Sequence, residues 1–237
     1  MKNKEVKLGS EKIKIRNKRI KILKLAVLTM LLGLIVLYLV LQSVYGKGNF
    51  VVSLDRETSS DKGIVLYESI ADKDYRQNLY ATSLESMTNI SINWLPQGLN
   101  DEKDGAHNGE NYIAYTFYIE NQGKETTNYW YNISIDEVLK GVDDAVRVMI
   151  YQNGEPTIYA KQTPSGNAET GTEKFYSNEY VVMKNRTGFN TGAIDKYTVV
   201  IWLEGDDPQC VDAIIGGKMN MTMKFQSEIL SENENRI

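Results

Sequence analysis

The sequence predicts a mainly β protein, an antiparallel β-sandwich of jelly-roll type preceded by one N-terminal transmembrane helix. Three observations carry this. An uncharged apolar run, Leu25 to Leu41 (LAVLTMLLGLIVLYLVL), lies near the N-terminus. From Asn49 onward apolar residues alternate with period two, the mark of half-buried strands. Turn signals such as Asn153-Gly154 separate the alternating segments.

The first element is a basic tail, residues 1–24. It carries ten Lys and Arg against Glu5 and Glu11, a net charge of +8, whereas the rest of the chain has a net charge of −12. The overall −4 therefore joins two regions of opposite sign. Between them the apolar segment, extended to Tyr45, covers residues 25–45. At about 1.5 Å per residue this gives about 31 Å of helix, enough to cross a hydrocarbon core of about 30 Å. The lysine-rich side is expected to stay in the cytoplasm, with Tyr45 at the interface and residues 46–226 extracytoplasmic. The chain is then a single-pass protein of the cell membrane. A cleaved signal peptide is the competing reading. The core is longer than an ordinary signal, no A-x-A follows, and Val44-Tyr45-Gly46 is a poor cleavage site. The basic tail reads as a topology signal meeting anionic lipid, and nucleic acid is not expected as a partner of the acidic remainder.

The strands follow in order. GIVLYESI and NISINWLP are expected strands before a polar loop, Leu99 to Asn111. Ile113, Tyr115, Phe117 and Ile119 share one face, and Tyr129, Tyr131, Ile133 and Ile135 repeat the pattern. Val146, Val148 and Ile150 come next, then a hairpin at Asn153-Gly154. A polar loop spans Gln162 to Glu173. Tyr197, Val199, Ile201 and Leu203 form a further face, and Met219, Met221, Met223 and Phe225 the last. Asp207 to Ile215 is expected as a short helix, capped by Asp206 and ended by Gly216-Gly217. The tail, 227–237, is polar and is expected to fray.

Cys210 is the only cysteine, so the domain holds together without an internal disulfide. A eukaryotic secreted domain of this size more often carries disulfides, and the composition suits a Gram-positive surface protein. The sequons at Asn89, Asn132, Asn185 and Asn220 are then chance matches in an Asn-rich chain.

The run DKYTVVIWLEGDDPQCVDAIIGG (Asp195 to Gly217), followed by KMNMTMKF, resembles the closing strands of the TasA and camelysin group of Gram-positive exported proteins. The earlier AYTFYIENQG is similar to that group as well. The resemblance is close over about 30 residues of the C-terminal third, looser over residues 100–226, and absent at the N-terminus. Gly46 to Phe50 does not match the sequence that follows the export cut in that family, and the basic tail is longer. The resemblance implies a jelly-roll domain at the cell surface that assembles into biofilm matrix fibres by strand exchange.

Some members of that group are described as metallo-endopeptidases, so the resemblance raises zinc chemistry. It calls for three protein ligands and a water, commonly from HExxH. The one histidine, His107, sits in a Gly-rich loop and reads as an exposed loop residue. No G-x-S-x-G is present, and Cys210 among acidic neighbours reads as a partly buried structural thiol. The pairs Asp143-Asp144 and Asp206-Asp207 read as turn and cap residues. Asn100, Glu102 and Asp104, with Gly105, place oxygens as a calcium loop would, but its twelfth position holds Asn111 where Glu belongs, with Glu110 one place early. Both a weak calcium site and a solvated loop remain open there. Trp94, Trp130 and Trp202 are assigned to the core, Trp202 facing opposite Ile201 and Leu203. No catalytic set and no bound cofactor is expected. Three functional readings follow: a structural or interaction protein that meets other surface or matrix proteins by strand addition, a scaffold or sensor within a membrane complex, and, last, a metal-dependent hydrolase.

Overall fold

A computed structural model of the chain describes residues 2–45, 49–84 and 86–227, with side chains from residue 17 to 39 and from 49 onward. The candidate cleavage site at Gly46 and the tail beyond Ser227 lie outside the described residues. The first element, α1 (Lys2–Tyr45), is a helix of 44 residues. Within it Asn17–Leu39, 23 residues, is long and apolar enough by length and composition to cross a membrane. The side chains described along that span, Leu25, Val27, Leu28 and Met30 among them, are exposed. A helix satisfies its own peptide groups, so such a segment leaves none unpaired in hydrocarbon. Lys2 to Lys24 is helical too, so the basic tail and the apolar run form one continuous element.

The remaining residues fold as a β-sandwich. Its strands are β1 (Phe50–Leu54), β2 (Ile64–Tyr67), β3 (Asn78–Tyr80), β4 (Gly105–Ala106), β5 (Tyr112–Asn121), β6 (Thr127–Leu139), β7 (Val146–Gln152), β8 (Glu155–Ala160), β9 (Glu173–Lys174), β10 (Tyr180–Phe189), β11 (Ile194–Leu203) and β12 (Lys218–Gln226). Five of them form one sheet in the order β10-β6-β12-β1-β3. The other sheet runs β2-β5-β11-β7-β8-β9, with β4 also paired to β5. Most pairings are antiparallel, as expected. Two are parallel: β1 beside β12, Phe50 to Leu54 against Met221 to Phe225, and β8 beside β9. The first strand thus lies inside its sheet, between the last strand and β3.

The alternating residues meet between the sheets. Ile113, Tyr115, Phe117, Ile119, Tyr197, Val199 and Ile201 from one sheet pack on Tyr129, Tyr131, Ile133, Met221, Met223 and Phe225 from the other. Phe225 lies at the centre. Its ring centroid is 5.9 Å from Phe117, 5.8 Å from Tyr129, 6.0 Å from Tyr131 and 5.3 Å from Tyr197. The contacts to Phe117 and Tyr197 are edge-on, an arrangement that adds to the gain from burial. The Asn153-Gly154 turn forms as the sequence predicts, both residues having positive φ.

A second layer covers the outer face of the larger sheet. Trp202, Val200, Met149 and Ala114 point outward and are buried under Leu99, with Ile90 and Leu95 beside them. The expected strand NISINWLP is therefore a covering segment instead. It keeps one bridge, Ile90 to Glu204, and a 3-10 turn, Ile92–Trp94, which Ser91 caps by accepting from the Asn93 amide. That turn throws Trp94 out of the core into solvent, at 77% exposure. The helix expected over Asp207 to Ile215 reduces to a 3-10 turn, Asp212–Ile214. Asp207 is held by Arg147 through one carboxylate oxygen, and Asp206, the expected cap, accepts from Ser91 instead.

A short helix, α2 (Arg56–Lys62), joins β1 to β2, capped by Asp55 and ended by Gly63 at φ 67°. Gly63 and Gly123 pass so closely that a Cβ on Gly123 would lie 2.1 Å from the Lys62 carbonyl oxygen. Glycine is required at that crossing.

Truncating Phe225 to Ala removes a ring that four others touch, and should cost about 3–5 kcal/mol. Urea unfolding of the sandwich should show this, whereas Trp94→Ala, which removes an exposed ring, should change stability little.

Candidate functional site

Buried charges gather at a cleft of about 400 Å³ on the outer face of the larger sheet. Arg147 of β7 and Trp202 of β11 are cross-strand partners there. The loop Glu169 to Thr172 and the turn Glu204 to Asp207 close over them. Arg147 Nη2 donates to Asp207 Oδ2 at 2.6 Å and also to Glu169. Glu204 Oε2 accepts from Trp202 Nε1 (3.0 Å) and the Ile92 amide (3.1 Å), and its Oε1 accepts from the Asp206 amide. Asp207 Oδ1 accepts from the Gln209 amide at 2.7 Å. Burial pushes the Glu169 carboxyl above its usual value; Arg147 opposes this, and Asp207 and Glu204 add to it. Each acid thus fastens a loop to the sheet, and the cluster is a clamp of one cation and several carboxylates. Sequence reasoning missed Arg147. Its only signal was a charge inside the apolar run VRVMI, where an outward residue must find partners once a loop covers it.

The second cleft, about 250 Å³, opens between the sheets at one end of the sandwich. Ile113, Val146, Ile201, Leu203, Met219 and Met221 give it an apolar wall. Asn49, where the chain enters β1, is on its rim, and among the described residues Lys218 is the titratable side chain that lines it.

The residues singled out from sequence are placed as follows. Asp104 accepts from the Tyr118 hydroxyl at 2.6 Å and the Ile70 amide at 2.9 Å. It therefore ties the loop between β2 and β3 to the sheet. Asn100 lies in the 3-10 turn Leu99–Asp101 and Glu102 follows it, exposed. Among the described residues no three His, Cys, Asp or Glu side chains are grouped to hold a metal ion. His107, expected in solvent, is buried at 4% exposure. Its Nδ1 lies 2.9 Å from the Gly105 carbonyl and its Nε2 3.0 Å from that of Leu99, so the ring braces the covering segment. Loop composition gave no hint of this, because the ring lies between main-chain atoms. Asp143 and Asp144 share Lys161, at 2.6 and 2.7 Å. Cys210 is half-buried and accepts from Asn89 Nδ2 at 3.4 Å.

No family model matches the chain, and no curated protein matches it. Solved structures overlap it weakly, and three of them are as follows. Two are β-glucosidase from Kluyveromyces marxianus, one in complex with glucose: 15% identity, 75% of this chain and 18% of that one, TM-score 0.28. The selenomethionine-labelled form gives 12%, 68%, 16% and 0.24 in the same order. The third is the GH31 α-xylosidase from Xanthomonas citri, at 12%, 70%, 16% and 0.22. This chain spans less than a fifth of each, and at such scores the overlap carries no argument.

The loop between β2 and β3 gives a pH prediction. Burial alone would raise the carboxyls of Asp104 and Glu120. The Tyr118 hydroxyl and the Ile70 amide pull Asp104 below its ordinary 3.8, and Lys73 and the Tyr67 hydroxyl pull Glu120 below its ordinary 4.5. Because the folded values are the lower ones, their stabilisation is complete above the ordinary values and is lost as pH falls through the depressed ones. Hydrogen exchange, corrected for intrinsic rate, should show the Ile70 amide losing protection below those values while Val199 in the core keeps it.

Proposed function

We propose that the chain is a membrane-anchored structural or interaction protein of the cell surface, with its N-terminus in the cytoplasm and its sandwich outside. The observation that carries this reading is the free edge of β10. Among the described strands it is a ten-residue edge, paired only to β6. An edge strand adds a partner's strand through main-chain hydrogen bonds and needs no special side chains. The pairing of β10 with β6 shifts register between Tyr180 and Val182 and again between Arg186 and Phe189, leaving Val182 to Arg186 regular. Lys184 and Arg186 within it discourage indiscriminate pairing.

Further support comes from the polar clusters. Arg147, His107, Asp104 and Lys161 all fasten one part of the fold to another. The resemblance to the TasA and camelysin group adds a role in matrix assembly to the proposal. The charge change from +8 to −12 across the apolar segment favours the stated orientation.

A photocrosslinking residue at Asn185, exposed on the free edge, tests the reading in the full chain at the cell surface. Discrete adducts with a surface protein or a second copy are expected there, and not from Thr163 in the polar loop between β8 and β9. Equal labelling at both positions, or none, would remove the edge-strand contact.

A second reading, a scaffold within a membrane complex, is favoured by one feature: α1 continues without a break through the basic tail. Deleting residues 1–20 separates the two. Loss of function with unchanged surface display would select the scaffold, and retained function would select the surface contact.

A further inference from the structure

One end of the sandwich collects exposed apolar side chains. Leu139 closes β6 and faces Lys218, the first residue of β12. Val211 and Ile215 flank the 3-10 turn that leads into β12. These three are 48, 51 and 68% exposed. Lys140 Nζ donates to the Ile215 carbonyl at 2.6 Å, which fixes the turn beside the end of β6. Lys218 lies at the same place, its ammonium on Glu137 at 2.9 Å. The result is an apolar tip bordered by the aliphatic stems of two lysines, at the mouth of the apolar cleft.

This is the end at which the chain enters the fold. The Met221 amide donates to the Asn49 carbonyl, and Phe50 runs parallel to Met221, so β12 begins three residues farther out than β1. In sequence only residues 46–48 separate Asn49 from Tyr45, where the apolar segment ends. Four residue steps, fully extended, reach about 14 Å at most. The headgroup layer on each side of a bilayer is about 5–8 Å deep. So short a tether keeps Asn49, at this end of the sandwich, near that layer.

Resting on the reading of residues 25–45 as an uncleaved anchor, we infer that Leu139, Val211 and Ile215 form a lipid-contact surface that seats in the headgroup layer of the bilayer. Apolar side chains exposed at the end of a domain lose water by entering the interface, and the aliphatic stems of Lys140 and Lys218, whose ammonium groups bond the Ile215 carbonyl and Glu137, border them. The contact limits the swing of the sandwich and leaves the β10 edge available to partners.

The test uses the full chain in vesicles of equal parts phosphatidylcholine and phosphatidylglycerol, with and without bromine on the acyl carbons nearest the headgroups. Ile215→Trp probes the tip. Ile194→Trp, at the opposite end of β11 and also exposed, is the control. Both positions are at the surface, so neither change disturbs the core. Flotation with the vesicles reports the anchor, and quenching reports the tip. Flotation with most of the added emission of Ile215→Trp quenched, and little of that of Ile194→Trp, is the expected result. Flotation with equal or absent quenching overturns the lipid contact and leaves the anchor standing. Absence of flotation removes the anchor and the inference with it. Emission from Ile215→Trp that ignores bromine but shifts blue as protein density rises would assign the tip to a second copy, and overturn the proposal.

Discussion

The sandwich depends on one buried carboxylate. Asp195, near the start of β11, is 2% exposed, and a lone charge there would cost several kcal/mol. It is offset by donors from three directions: the Tyr129 hydroxyl at 2.6 Å, Asn153 Nδ2 at 2.8 Å and Arg186 Nε at 3.0 Å. Tyr129 and Arg186 belong to the smaller sheet, whereas Asn153 sits in the hairpin of the larger one. The Tyr129 and Tyr197 hydroxyls are 2.9 Å apart, and burial pushes both far above the usual tyrosine value, so they remain protonated. Apolar packing brings two sheets together at many registers. A carboxylate that must find these donors selects one of them.

The same logic extends outward from the core. At the opposite end of the strands, Arg147 and its acids draw the loop after β8 and the turn after β11 onto the larger sheet. Asp104 and Glu120 do so for the loop between β2 and β3. These clusters recruit loops that have too little apolar surface to bury, and a salt bridge with good geometry supplies the attachment. The interior is thus organised in two ways, rings and methionines between the sheets and ion pairs around them.

Much of this was legible in the sequence, and the exceptions have a common cause. Period two showed the inward faces of β5, β6, β7, β11 and β12, because each inner residue meets the opposing sheet at fixed spacing. The apolar run of α1 was equally plain. Trp94, His107 and Arg147 were misjudged or missed because their environment is set by residues far away in sequence. His107 binds two main-chain carbonyls, and Trp94 is expelled by a turn that Glu204 and Asp206 anchor. Helix α2 was overlooked since RETSSDK has no apolar period, although Asp55 and Gly63 mark both its ends. The parallel pairing of β1 with β12 leaves no local signature at all.

That pairing also decides how firmly the entry of the chain into the sandwich is held. The strand that follows the apolar segment is β1, so a pull from the N-terminal side acts on it first. An edge strand would peel away one pair at a time. β1 is hydrogen-bonded on both sides, five registered positions against β12 and three against β3, with Phe50, Val52 and Leu54 locked into the core. β12 is the last of the described strands, so this placement is complete only once the rest of the sandwich has formed. The point where the chain enters the fold is therefore held when the sandwich closes, by the least local pairing among the described strands.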